Sequence, residues 1–291
     1  MIAVGASACP YCLSKKGNGM YTAQDIFEQL SKMNAPRDRV VLMHTALRTV
    51  GDVAGGGEGL LDVMIEYFTA KGGLFCVPTH TWANWGSDRP TLDLSLAESN
   101  LGVFSRLAEA DPRGIRSENP THSMVVFGDR ARAEAFVADD VHIVTPTAPD
   151  SCYGKLYREG GLVLLVGVGQ CKNTYLHAVA EILALPNRME KELSRATVRK
   201  KDGSLITRDW KLFDCDFSDD ISHRFPKYEE AFRYHRCITD GFVGDAPAQL
   251  CDARGMKSVV EGIFAASNGR DPLADESPIP PKLYCRSGKD R

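Results

Sequence analysis

The chain alternates short apolar runs with amphipathic segments, and glycine turns stand between them. Thr22, with Asp25 three residues on, marks a capped helix start, and that helix is predicted to run to about Asn34, where Pro36 stops it. Arg39-Val40-Val41-Leu42-Met43-His44 then reads as a buried strand. Gly51 and the cluster Gly55-Gly56-Gly57 interrupt before Leu60, Leu61, Met64, Ile65 and Phe68, whose spacing gives a helix with one apolar side reaching about Lys71. Gly72-Gly73 closes it and Leu74 to Val77 begins a second strand, so strand, glycine turn, helix and strand form a βαβ unit.

The middle of the chain repeats the alternation. A helix is predicted from about Val103 to Glu109, a strand from Ser123 to Phe127, a helix from Asp129 to Val137 and a buried strand from Leu162 to Val168. The last opens into a helix at Asn173-Thr174-Tyr175-Leu176-His177. After Pro186 the pattern changes, because Arg195 to Lys200 and Ser204 to Trp210 flank Lys201-Asp202-Gly203, a hairpin signal. Helices around Tyr228 to Tyr234 and Ser258 to Ala266 and a Pro-rich stretch from Pro278 follow. The expected fold is therefore α/β: a central mixed or mostly parallel sheet flanked by helices, with a small antiparallel lobe. The divisions are an N-terminal arm over 1–20, a main domain over 21–270 with the lobe at about 190–225, and a tail over 271–291.

Composition narrows the partners. The 291 residues, 43% apolar, can bury one sizeable core, and 35 basic against 38 acidic residues give a net charge of −3. That balance sets up no general field for nucleic acid or an anionic membrane surface. No apolar run approaches the roughly 18 residues a membrane helix needs, and a cytoplasmic protein, monomer or homodimer, is the expectation. Nine cysteines, an odd number scattered through apolar segments such as Leu74-Phe75-Cys76-Val77, point to reduced thiols. Cys9-Pro10-Tyr11-Cys12 matches the tetrapeptide glutaredoxins use for thiol exchange, but too short a segment precedes it and Gly17-Asn18-Gly19 breaks the chain soon after, so it reads as a surface arm.

The chemistry gathers at predicted strand ends. In the last αβ unit Leu176, Val179, Ala180 and Leu183 share one helical side, which leaves Thr174, His177 and Glu181 on a less apolar one. A histidine can take and return a proton near neutrality, and a carboxylate one turn away can orient its ring, so His177 is the candidate general base and Glu181 its orienting partner. His44 and Thr45 end the first strand, and Arg48, Gly51 and Gly55-Gly56-Gly57 follow as a possible anion-binding turn at a helix start, or an ordinary tight connection. Pro78-Thr79-His80-Thr81 and Asn119-Pro120-Thr121-His122-Ser123 place further hydroxyls and histidines at strand ends. His44, His80, His122 and His177 raise a metal-dependent hydrolase as an alternative, although no metal-ligand spacing is present and no GxSxG elbow supports a serine hydrolase.

In order, the segments around Val41 to Gly57, Gly73 to Thr81, Arg116 to Gly128 and Leu164-Leu165-Val166-Gly167-Val168-Gly169 with Asn173 to His177 resemble the aminoglycoside 3-N-acetyltransferases of the antibiotic N-acetyltransferase family. The resemblance spans roughly residues 25 to 265. It implies a fold distinct from the GNAT acetyltransferases, acetyl-coenzyme A as acyl donor, no metal, and an aminoglycoside amine as acceptor in an antibiotic-resistance reaction. It places His44 in the site beside His177 and Glu181, with Thr45, Arg48, Gly51, Gly55, Gly56, Gly57, Thr79 and Ser123 toward the coenzyme. Asn119, Thr121, Asn173 and Asp216 are assigned to the amine, Asp216 belonging to the acidic run Asp214, Asp216, Asp219 and Asp220. Asn119 and His80 stand where many members carry a histidine and an aromatic residue, which touches the choice of substrate more than the chemistry. An acetyltransferase for another amine, a coenzyme-binding module and a thiol oxidoreductase at Cys9 and Cys12 are the competing readings.

Overall fold

The computed structural model describes residues 19–214 and 220–285. Cys9, Cys12 and Asp216 lie outside the described residues. The main sheet has seven strands in the order β4-β5-β2-β1-β6-β10-β9, formed by β1 (Val40–Thr45), β2 (Leu74–Pro78), β4 (Ile115–Arg116), β5 (Met124–Phe127), β6 (Leu162–Val166), β9 (Ile238–Val243) and β10 (Ala246–Asp252). Only β2, β1 and β6 run parallel; β5 lies antiparallel to β2 and β10 antiparallel to β6. A second sheet joins β3 (Leu92–Asp93), β7 (Ser194–Arg199) and β8 (Leu205–Trp210), with β3 parallel to β7 and the β7-β8 hairpin turning through Gly203 at φ +84°.

Alternation along the central strands divides the core between two faces, as a sheet covered on both sides requires. Val41, Met43, Phe75, Val77, Leu164 and Val166 pack with the helices α1 (Ala23–Lys32), α2 (Gly56–Thr69) and α3 (Val103–Ala110). Val40, Leu42, Leu74, Cys76, Val163 and Leu165 face the other way, toward α4 (Arg130–Val137), α5 (Cys152–Arg158), α6 (Tyr175–Ile182), α7 (Glu229–Tyr234) and α8 (Ala253–Ala266). Local signals explain several boundaries. Thr22 and Asp25 form the reciprocal capping box expected for α1, while Asp129, Ser151 and Asp252 cap α4, α5 and α8.

The sheet is mixed, within the expectation, and β5 returns antiparallel, a direction that a strand's apolar run does not carry. Two features depart from the sequence pattern: the β9-β10 hairpin and α5 were not anticipated. Asp240 and Gly241 make β9 look like a turn, yet Gly241 is required there: a Cβ at that position would lie 2.3 Å from Met33 Cγ at the end of α1. Among the described residues no helix is long and apolar enough to cross a membrane.

Candidate active site

Parallel pairing of β1 with β6 sets His44 opposite Leu165 and Thr45 opposite Val166, so both strands end together. Beyond β6 the chain turns through Gly167 (φ +65°), where a Cβ would sit 1.9 Å from Thr49 Oγ1, and a 3₁₀ turn over Gln170–Lys172 leads into α6. His80 follows β2, and His122 precedes β5, whose antiparallel course brings its start to the same edge. Four of the seven histidines thus meet at one end of the sheet. The His80 and His122 rings are 4.4 Å apart, and His80 is near enough to His44, His122 and His177 to respond to the charge of each.

His177 sits in the first turn of α6 with 8% of its surface exposed. Its ring stacks on Phe213 at 3.9 Å between centroids and 12° between planes, and Phe225 meets it edge-on at 4.9 Å. Neither ring nitrogen has a hydrogen-bond partner among the described residues. Burial lowers its pKa to about 4, with Asp220 opposing the shift and Arg188 adding to it, so the imidazole is neutral at neutral pH. His44 is also neutral, held at about 3 by burial and by Lys172, and its buried Nε2 has no hydrogen-bond partner among the described residues. Thr45 Oγ1 and Asn173 Oδ1 are likewise buried without a partner among the described residues, although Asn173 Nδ2 donates to Gln170. Unsatisfied polar atoms at one strand edge fit a surface completed by a ligand.

The expected pairing of His177 with Glu181 does not form. The whole of α6 from Tyr175 to Ala180 is buried, and the Glu181 carboxylate instead accepts from Thr145 Oγ1 at 2.5 Å, from the Thr147 N–H at 3.0 Å and from Thr147 Oγ1. A carboxylate with both oxygens so occupied anchors a loop and leaves the ring alone. Burial raises its pKa, with those hydrogen bonds opposing.

Thr79, Ser123, Asn119 and Thr121 were expected to touch ligands, but all four are fully buried and bonded within the protein. Thr79 and Ser123 hydroxyls lie 3.0 Å apart, and the Thr79 carbonyl accepts from Ser123 Oγ at 2.7 Å. Arg116 Nε donates to Ser123 Oγ, and its guanidinium pairs at 2.5 Å with Glu109, both almost fully buried. Asn119 accepts the His122 N–H and donates to the Pro146 carbonyl, while Thr121 Oγ1 is 2.9 Å from His122 Nδ1. These residues frame the histidines; strand-end capping explains them. Tyr153 OH, 2.7 Å from His80 Nε2, extends the frame and was not anticipated.

The glycine turn is more open. Arg48, exposed, lies in the 3₁₀ turn Leu47–Thr49 after β1, and Gly55 in the left-handed region (φ +77°) caps α2. A Cβ on Gly56 would meet nothing, whereas one on Gly59 would lie 1.9 Å from the Ala54 carbonyl oxygen. Gly51 instead abuts the Asp245 carboxylate, and Gly57 packs on Leu107 and Leu47. Open space before a fourteen-residue helix, with exposed Arg48 in the turn that precedes it along the chain, fits an anionic group. Among the described residues no group of three or more His, Cys, Asp or Glu side chains is arranged to hold a metal ion.

This arrangement has relatives. The family model described as aminoglycoside 3-N-acetyltransferase matches residues 42–265. The chain belongs to that family, a family of acyltransferases. Aminoglycoside N(3)-acetyltransferase VII of Streptomyces paromomycinus is 28% identical over 269 residues, covering 83% of this chain and 91% of its own. A histidine-to-alanine variant of aminoglycoside acetyltransferase AAC(3)-IVa, crystallised with a gentamicin, superposes with a TM-score of 0.73 at 24% identity, over 94% of this chain and 96% of that one. The binary complex of AAC-IIIb with CoASH gives 0.67 at 21% identity, over 83% and 95%. The mixed sheet with its small three-stranded companion is the architecture these structures share with this chain.

Proposed function

We propose that this protein transfers an acetyl group from acetyl-coenzyme A to an amino group of an aminoglycoside by direct attack, with His177 as general base. The carrying observation is the neutral imidazole, whose nitrogens have no hydrogen-bond partner among the described residues, at an edge that also holds the buried His44 Nε2, likewise without one among them, and the open glycine turn. The coenzyme supplies a thioester whose carbonyl carbon accepts the amine nitrogen as the carbon–sulfur bond breaks and the thiolate leaves. Arg48 and the start of α2 at Gly55 and Gly56 suit its phosphates.

An amine is inert while protonated, and His177 removes the proton as the new bond forms. His44, neutral and carrying one ring N–H, can turn that donor toward charge developing on the carbonyl oxygen, and Asn173 can accept from the incoming amine. Asp214 directly follows Phe213 and Asp220 precedes the turn that carries Phe225; both are exposed, and beside the two rings that touch His177 a polycationic sugar would meet negative charge. Family membership and the open helix start favour this reading over a hydrolase.

The test is to mix the protein with acetyl-coenzyme A and gentamicin-like and neomycin-like compounds, follow thiol release, and locate the acetyl group by mass spectrometry and NMR. Acetylation of the 3-amino group is expected. Release of thiol only with an unrelated amine would replace the substrate, and no acetyl product with any amine would reject the reaction. His177→Ala should lower turnover about a hundredfold or more with coenzyme affinity little changed.

A further inference from the structure

An imidazole base works only when its lone pair points at the proton it is to take, and in most sites a hydrogen bond to the second ring nitrogen sets that direction. Here no such bond exists among the described residues, because Glu181 is committed to Thr145 and Thr147. What contacts the ring is an aromatic face. Phe213 covers it nearly coplanar at 3.9 Å, and Phe225 closes one edge at 72°. Stacking restrains the ring's tilt without engaging its nitrogens in a hydrogen bond.

Phe213 is itself held from two directions. It follows β8 and pairs with Met189 in an antiparallel bridge, flanked by Glu190 N–H to the Leu212 carbonyl at 3.0 Å and Asp214 N–H to the Arg188 carbonyl at 3.2 Å. Three residues upstream Trp210 is fully buried in the lobe with Ala196 and Ile143. Arg188, from the segment after α6, forms an ion pair with Asp271 at 2.6 Å in which both side chains are almost buried. Lys227 and Arg224, from the stretch that also carries Phe225, donate to the carbonyls of Pro272 and Leu273. The lobe and the segment after α8 therefore converge on the two rings that touch His177.

We propose that Phe213 is a positioning residue for the transfer reaction, fixing the plane of the His177 imidazole by stacking in place of an orienting carboxylate, with Arg188 and Asp271 clamping the strand that carries it. This rests on His177 being the base. The charged and titratable groups facing that ring are Asp220 before the Phe225 turn, Arg188 after α6, and His122 and His80 from the strand ends. Arg188 is the cation that Asp271 neutralises.

The experiment uses the full chain with Phe213→Ala, Phe213→Leu and Phe213→Tyr beside Asp271→Asn and His177→Ala, reading kcat, KM for both substrates, the pH profile of kcat/KM, and Tm. Phe213→Leu keeps apolar cover and loses the planar stack, so kcat should fall about tenfold with KM for acetyl-coenzyme A unchanged, and Phe213→Tyr should restore it. In Phe213→Ala water reaches the ring, and the acid limb should move up from about 4 toward the ordinary histidine range. Asp271→Asn leaves Arg188 unpaired, and the same limb should move down. Leu and Tyr variants with equal kcat, or losses that follow Tm while the limb stays still, would overturn the assignment; the Leu and Tyr pair decides it even if the Ala variant fails to fold. High turnover in His177→Ala would instead remove the base on which the proposal stands, whereas an inactive His177→Ala beside normal Phe213 variants rejects the positioning role alone.

Discussion

At the scale of single residues, the two conspicuous polar members of α6 have separate jobs. His177 is neutral, its nitrogens without a hydrogen-bond partner among the described residues, whereas Glu181 ties the 145–147 segment to the helix through three hydrogen bonds. Replacing Glu181 by Ala strands the hydroxyls of Thr145 and Thr147 and one N–H in a buried place. That should cost about 2–3 kcal/mol of stability, visible as a lower Tm, because unpaired buried donors lose their full desolvation penalty. Turnover per folded molecule should remain far above that of His177→Ala. Equal loss of turnover at unchanged Tm would return Glu181 to the catalytic role its spacing first suggested. The i, i+4 spacing was legible because helical geometry is local, but the carboxylate's choice of Thr145 and Thr147 depends on a loop thirty-odd residues earlier in the chain. Phe213 was invisible for the same reason. Nothing in the local pattern around it points to a histidine on another element.

At the scale of elements, the glycine turn shows how one composition covers different duties. Gly59 is sterically required, since a Cβ would strike the Ala54 carbonyl oxygen at 1.9 Å, whereas at Gly51 the Asp245 carboxylate at 2.5 Å can swing aside and the positive φ of +81° is what calls for glycine. Gly56 has open space and only its positive φ of +62° to satisfy. Gly56→Ala should therefore cost roughly 1–2 kcal/mol, the penalty of a left-handed residue, while Gly59→Ala should displace the first turn of α2 and cost more. Thermal melts will rank them. In calorimetry with coenzyme A, Gly56→Asp should bind markedly more weakly through repulsion at the helix start; unchanged affinity would place the phosphates elsewhere. Strands β1, β2, β5 and β6 and helices α1, α2 and α4 were legible because burial on both faces leaves unbroken apolar runs and the caps are local. Strand direction was not, and the β9-β10 hairpin hid behind Asp240 and Gly241 although Gly244-Asp245 carried a hairpin signal.

At the scale of the whole molecule, joining β1, β2, β5 and α6 at one edge forces four imidazoles into a buried cluster, and that has a thermodynamic consequence. Burial pushes His44 to about 3 and His177 to about 4, and holds His80 and His122 well below the ordinary range, with the neighbouring histidines and Lys172 or Arg188 adding to it. In the unfolded chain each titrates near the usual value of about 6.5, so below that pH the unfolded state binds more protons than the folded one. Folded-state pKa values that are depressed give stability that is complete above about 6.5 and lost as pH falls toward the folded values. Each histidine steepens the loss by up to about 1.4 kcal/mol per pH unit. Urea unfolding at a series of pH values should therefore show stability nearly level from pH 7 to 8 and falling steeply from about 6.5 to 4, before most carboxylates protonate. His80→Gln tests the origin of the slope. Glutamine keeps a polar group toward Tyr153 but does not titrate, so the variant should lose less stability between pH 6.5 and 5 than the wild type, even if it begins less stable. A parallel pair of curves over that window would mean that His80 is not among the groups that set the slope.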